Sequence, residues 1–397
     1  MNIKNLVLFT LLILFFSQCK KDTINPENIF AKIYDDSNSD LSYYPLSIIQ
    51  SGDGGYYILS ALSVDTTREF LNTHITRTDM YGELLWQATL PEPYVSPVEG
   101  FVVAGNELHF LCMDRTSLGT YLMKVDDANQ SAVVVESFND IVYPLAASQT
   151  PDKGFLLLNY DRNSRSSQLT KFTATFSAQW DTKFSVVEDA EAMLIAHMTR
   201  SGKVLPFFTG TVGSGSAYFV NALFNYSLAL LFVDANNGDR TGLIFGERYD
   251  AGISAAVNIQ GETFAASRFV FNSHYILPVV NFSLSSIISA NDLSGEPVAE
   301  LADDAHTRIK VISVDNQNLI VYASNTQNNQ VLLIFYDLST GELVKKTYLG
   351  SSNPVKVADL IQTTDGGLAI LTQTTIAGRF KRIALYKIPK EQILGSE

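Results

Sequence analysis

Cysteine is almost missing from this sequence: its 397 residues hold two, Cys19 and Cys112. That excludes a disulfide framework. Histidine is scarce as well. The five present (His74, His109, His197, His274 and His306) contain no pair at i+2 or i+4, so no dedicated zinc site is expected. Positive charge is short, with 28 basic against 41 acidic residues and a net charge of −13. A nucleic-acid backbone is therefore an unsuitable partner, and the excess of acid serves solubility. There is no Gly-x-Ser-x-Gly elbow and no phosphate-binding Gly-Lys-Ser loop. Long amphipathic periods are few, which favours an all-β chain, and 46% apolar content against 17% charged residues describes an ordered one.

Long hydrophobic runs are also lacking. Leu6–Phe16 is a run of eleven, about 16 Å of helix against about 30 Å of hydrocarbon core. It reads as a signal-peptide core, with Lys4 as its positive region. The stretch from Ala222 to Val233 is broken by Asn225, Tyr226 and Ser227 and ended by Asn236-Asn237-Gly238, so it is not a membrane segment.

What the sequence does contain is a repeated turn. Ser47-Ile48-Ile49-Gln50-Ser51-Gly52-Asp53-Gly54-Gly55-Tyr56-Tyr57-Ile58-Leu59-Ser60 places apolar residues on both sides of Asp-Gly-Gly, a hairpin signal. It returns as Asp359-Leu360-Ile361-Gln362-Thr363-Thr364-Asp365-Gly366-Gly367-Leu368-Ala369-Ile370-Leu371-Thr372. Weaker copies lie at Asn106, Asp152, Ser201, Gly261 and Asp315. The seven markers are spaced by 53, 46, 49, 60, 54 and 50 residues, a mean of 52. A second marker follows the first within a unit: Gly82-Glu83-Leu84, Asn237-Gly238-Asp239, Gly295-Glu296-Pro297 and Gly341-Glu342-Leu343. Each unit reads as strand, tight turn, strand, longer loop, strand, tight turn, strand, the signature of a β-propeller blade.

First and second strands are expected at 45–51 and 56–62, 98–104 and 108–113, 142–149 and 154–159, 192–198 and 204–209, 253–259 and 263–269, 307–314 and 319–323, and 355–362 and 368–373. The last unit stops after its third strand, Ile383–Ile388, whereas Ile29–Tyr34 precedes the first unit and resembles the fourth-strand segments Leu84–Thr89 and Val344–Tyr348. The expected fold is all-β: a propeller of seven four-stranded blades, closed by the N-terminal strand pairing with the last blade, which removes two exposed edges. Six or eight blades remain open, because the unit from about Val187 to Asp250 is oversized.

After the apolar run, Phe16-Ser17-Gln18-Cys19-Lys20-Lys21-Asp22 resembles a bacterial lipobox with Cys19 as the lipidated residue, although Phe16 replaces the usual Leu and Gln18 a small residue. Residues 1–18 are then the signal peptide, 19–27 a tether, and 28–397 the propeller domain. Removing residues 1–18 leaves 27 basic against 41 acidic residues, a balance of −14. With Cys19 acylated, for example by palmitate, Cys112 has no disulfide partner and is expected as a small buried hydrophobe. The Asp-Gly-Gly-Tyr hairpin behind Cys-Lys-Lys-Asp resembles the surface or periplasmic β-propeller lipoproteins common in Bacteroidota. That resemblance implies an envelope location, with the outer membrane expected, and a repeat ring. It carries over no catalytic residue.

No cofactor, metal ligand or catalytic residue is expected from the sequence. Ser51-Gly52-Asp53-Gly54-Gly55 is similar to the Asp-box turn of sialidase-type propellers, but it joins the first two strands and lacks the following Thr-Trp. Asp53 and Asp365 are expected to accept backbone N–H bonds within their own turns rather than bind calcium. The loops from second to third strands put Arg68, Arg115, Arg162 and Arg165 on one face, with Arg379 and Arg382 in or after the matching loop of the last blade. Arginines there form a candidate ligand rim, or pair with neighbouring acids on solvated loops. A catalytic carboxylate pair would have to come from innermost strands, where Glu99 and Asp359 are the main candidates. This scarcity favours a non-catalytic binding or scaffold propeller for a glycan, peptide or partner protein, held to the membrane by its lipid. The alternative is a propeller-fold glycan hydrolase or lyase with its site at a channel mouth.

Overall fold

Strands that are apolar on both faces must be covered on both faces, and a ring of radially packed sheets achieves this. The computed structural model describes residues 30–34, 41–64, 70–350 and 353–394. The expected signal peptide of residues 1–18, the expected tether with Cys19, and Arg68 lie outside the described residues. Seven blades follow one another around a channel. Four are separate four-stranded sheets, one gains a fifth strand, and blades 1 and 2 join into a nine-stranded sheet through the short strand Tyr94–Val95.

The innermost strands are Leu41–Gln50, Phe101–Ala104, Pro144–Gln149, Phe208–Val212, Ala251–Gln260, Arg308–Val314 and Val355–Gln362. Six of the seven agree with the sequence reading to within a few residues. In the second strand of blade 1, Tyr56, Ile58 and Leu62 pack toward blade 7, with Ala369, Leu371 and Leu385. Tyr57 and Leu59 pack toward blade 2, with Phe110, Cys112 and Met123. The period of two thus divides one strand between two cores. Similar cores lie between every adjacent pair of blades. Cys112 is fully buried in one of them, and burial pushes its thiol pKa up.

The ring closes as expected. Phe30–Tyr34 pairs antiparallel with Phe380–Ile388, running from Phe30 opposite Lys387 to Tyr34 opposite Ile383. Tyr34 also donates its hydroxyl to the Gly82 carbonyl at 3.0 Å, and Lys32 pairs with Glu83 at 2.6 Å, so the closing strand touches blade 1 too.

Two expectations are corrected. Residues 192–198 are not the first strand of blade 4 but lie in a helix, Glu191–Met198. The blade starts at Phe208, and its first tight turn is at Gly213–Gly215 rather than Ser201-Gly202-Lys203. The run Glu-Ala-Met-Leu-Ile-Ala-His-Met is made largely of good helix formers, and an apolar stretch of that length does not by itself distinguish strand from helix. This inserted helix accounts for the oversized unit. In blade 5, Gly295-Glu296-Pro297 is not a hairpin turn. The chain first leaves to add Ile287–Ser289 in parallel to blade 4, then returns as the two-residue strand Glu296–Pro297.

Candidate functional site: the channel mouth

Antiparallel order places the first-to-second and third-to-fourth turns on one face, and the second-to-third loops with the inter-blade connections on the other. On this second face the innermost strands begin. Their first residues, with the segment Met198–Phe207, enclose a cavity of about 510 Å3 at the channel mouth. That lies within the range of about 300–1,000 Å3 typical of small-molecule sites.

A charge pair crosses the channel. Arg308, at the start of the innermost strand of blade 6, donates from Nη2 to Glu99 Oε2 at 2.6 Å and from Nε to the Ala358 carbonyl at 2.5 Å. Glu99 precedes the innermost strand of blade 2 and is fixed there by a bridge to Ala146 of blade 3. Burial pushes the Glu99 carboxyl above its ordinary range. Arg308 opposes that shift and the nearby Asp359 adds to it. Its side chain keeps 34% of its surface open, toward the cavity it lines. Asp359, the other expected carboxylate, is engaged by backbone: its oxygens accept Ile48 N–H at 3.1 Å and Leu360 N–H at 2.8 Å, tying blade 7 to blade 1.

The inserted helix supplies the rest. Its C-terminus is a Schellman arrangement, with Ser201 N–H to the Ala196 carbonyl at 3.0 Å and Arg200 N–H to the His197 carbonyl at 3.3 Å. Arg200 therefore occupies the left-handed position, φ +56°, where glycine is usual. Its side chain lines the cavity. Burial lowers its pKa, with Glu99 opposing the shift and Arg308 reinforcing it. Two histidines distant in sequence, His197 and His306, line the same cavity. Burial, with Arg308 and then Arg200 beside it, pushes His306 down to about 3. His197 is lowered by burial and Arg200, and its Nδ1 accepts Leu205 N–H at 3.0 Å, so a neutral ring carries its proton on Nε2. Lys356 pairs with Asp304 at 2.6 Å. Lys381 Nζ lies 3.1 Å from Tyr44 Oη and 4.4 Å from that ring's centre.

The described rim arginines do not line this cavity. Arg115 donates to Asn72 Oδ1 at 3.1 Å and lies 3.3 Å from Glu92. Arg162 is exposed and 3.8 Å from Glu191 of the inserted helix. Arg165 is exposed, and its carbonyl accepts Val186 N–H at 2.7 Å. Arg382 is buried and donates to the Leu41 carbonyl at 2.6 Å, and Arg379 stands exposed after Gly378.

Sequence reasoning picked out Glu99 but not Arg200, Arg308, Lys356 or Lys381. Arg308 and Lys356 could have been found by searching the first residues of innermost strands for cations as well as acids. Arg200 was hidden by reading its helix as a strand.

No protein-family model matches this chain, and no curated protein does. Solved structures do. The chain is similar to Kuenenia stuttgartiensis hydrazine synthase, at 10% identity over 86% of this chain and 95% of that one, TM-score 0.50. It is similar to S. cerevisiae core factor, at 9% identity over 91% of this chain and 60% of that one, TM-score 0.51. A third structure, the Dos1 propeller, aligns at 11% identity over 90% of this chain and 95% of that one, TM-score 0.48. At these identities the likeness is one of fold alone.

Proposed function

We propose that this protein is a lipid-anchored β-propeller of the bacterial envelope, of the kind found in Bacteroidota, that binds a ligand at its channel mouth without transforming it. The anchor rests on the apolar run followed by Cys19-Lys20-Lys21-Asp22. The binding reading rests on one observation: a cavity of about 510 Å3 whose innermost carboxylates are already engaged. Glu99 is bonded to Arg308, and Asp359 to two backbone amides. Hydrolysis of a glycoside would need two carboxyl groups facing one bond, one of them free to give up a proton.

A second reading has one feature in its favour. The raised pKa of Glu99 is what a general acid would need, which keeps a glycan hydrolase or lyase in view. A single experiment separates the two. Immobilised protein is offered labelled oligosaccharides and peptides, and what it retains is eluted and analysed for cleavage. Retention of intact ligand supports the binding propeller. Product that disappears in Glu99→Gln makes it an enzyme. An Arg115→Ala/Arg162→Ala double variant in the same assay shows whether the rim contributes to retention.

A further inference from the structure

The cavity carries the opposite charge to the protein around it. The chain holds 41 acidic and 28 basic residues, yet Arg200, Arg308, Lys356 and Lys381 line the cavity against Glu99 and Asp304. Two of these four cations are matched, Arg308 by Glu99 and Lys356 by Asp304, both at 2.6 Å. The other two form no ion pair among the described residues. Among the described residues the Lys381 ammonium meets the hydroxyl and ring of Tyr44. Arg200 feels Glu99 electrostatically, but that carboxylate's hydrogen bond goes to Arg308, and the Arg200 guanidinium donates none to the described residues.

A guanidinium that lines a cavity with its fork engaged by no described residue suits a carboxylate, which it can hold bidentately. At this left-handed position glycine is favoured over arginine, so the side chain can be removed without strain on the backbone. The rest of the lining is mixed: Tyr44 and Phe207 offer ring surface, and Gln373, Thr375 and Asn329 offer neutral hydrogen-bonding groups. Rings and amides beside an arginine fit a polyhydroxylated anion better than a bare one.

We infer that the channel cavity is a site for a small acidic sugar, its carboxylate held by Arg200 with Lys381 as second cation and its hydroxyls meeting Gln373, Thr375 and Asn329. This assignment rests on the binding reading given above and supplies its ligand class. Arg308 stays with Glu99 as the strut that fixes the cavity's shape.

The test is calorimetric titration at low salt with glucuronate, glucose and a dipeptide bearing a free C-terminal carboxylate, on the wild type, Arg200→Gly and Arg200→Gln. Glucuronate is expected to bind the wild type and glucose is not. Both variants should lose about tenfold or more in affinity, the share of one charge-assisted contact. Arg200→Gly should melt no lower than the wild type without ligand, because glycine is the favoured residue at that position, so lost binding is not lost folding. Arg200→Gln keeps most of the side-chain stem and removes only the charge. Equal glucuronate affinity in all three proteins overturns the site. Glucose binding as tightly as glucuronate overturns the anion but leaves the channel a binding site, and dipeptide binding without glucuronate overturns the sugar. If the wild type does not bind glucuronate yet retains a neutral glycan or peptide, only the acidic-sugar site is overturned. If it retains no ligand of any kind, both readings are.

Discussion

Lys171 Nζ lies 2.8 Å from Asp152 Oδ2, with the lysine side chain 1% exposed and the aspartate 51% exposed. The same ammonium donates to the Phe172 carbonyl at 2.8 Å. A third-strand cation thus reaches the acid in the first hairpin turn of its own blade. The arrangement recurs in blade 1 with Arg77 and Asp53 at 2.5 Å, and in blade 7 with Lys387 and Asp365 at 2.8 Å. In all three the aspartate also accepts from a hydroxyl two residues before it (Ser51, Thr150 or Thr363) and from a glycine N–H two residues after it. That glycine is required by close approach. A Cβ on Gly154 would stand 2.0 Å from the Phe172 carbonyl oxygen, and one on Gly55 2.2 Å from that of Thr78.

Removing the acid should cost more than removing the base. Asp152→Ala leaves the buried Lys171 ammonium without its charge partner. Breaking a fully buried pair costs about 3–5 kcal/mol, and the half-exposed acid reduces this to about 2 kcal/mol. Lys171→Met removes the buried charge with little change of volume and should cost less than about 1.5 kcal/mol. Urea unfolding of the two variants checks the order, and equal losses would count against it.

These acids also set the response to acid. In the fold Asp53 is drawn down to about 2 by hydrogen bonds from Ser51 and Arg77. For Asp152 and Asp365 burial pushes upward, but bonds from Lys171 with Thr150, and from Lys387 with Thr363, outweigh it and leave both below the ordinary range. An unfolded aspartate titrates near about 3.9, so below that pH the unfolded chain binds the extra protons. Their contribution to stability is therefore present above about pH 4 and lost as the pH falls toward the folded values. A triple Asp53→Asn/Asp152→Asn/Asp365→Asn variant should show a flatter fall in melting temperature between about pH 4 and pH 2 than the wild type.

Deleting residues 30–34 should expose the edge of Phe380–Ile388, a long strand with buried apolar side chains. The expected outcome is a lower melting temperature and self-association on size-exclusion chromatography. A deletion variant that stays monomeric and melts like the wild type would show that the ring does not depend on this closure.

Replacing Cys19 by Ser should move the protein from the detergent-extracted membrane fraction to the soluble one and remove the lipid mass from its N-terminus. Unchanged fractionation would remove the anchor from the proposed function.

The parts of the fold that were legible in sequence are those set by local backbone chemistry. Asp53-Gly54-Gly55 and Asp365-Gly366-Gly367 show the hairpins because few other residues permit the turn. The continuous apolar second strands show that both faces are covered. Gln50, Gln149 and Gln362, each one residue before the Ser or Thr of its turn, form a signal that was in plain sight. Their side-chain amides bond to the backbone of the preceding blade, at Thr364, Val103 and Ser313. Residues whose neighbours are set by ring closure were not legible. Glu99 and Arg308 are 209 positions apart, and nothing local to either announces the other. Arg77, Lys171 and Lys387 did carry a trace, each a cation near the end of a buried third strand.

The closing strand also has a direction. Phe30, where it begins, pairs with Lys387 near the end of the last strand and lies against Gly82 in a third-to-fourth turn of blade 1. Those turns belong to the face opposite the cavity. The described chain therefore begins on the floor of the ring, while the cavity lies at its roof. Were Cys19 to carry the lipid proposed above, this geometry would turn the cavity toward the surrounding medium and away from the membrane, so the five residues that lock the ring would also orient it.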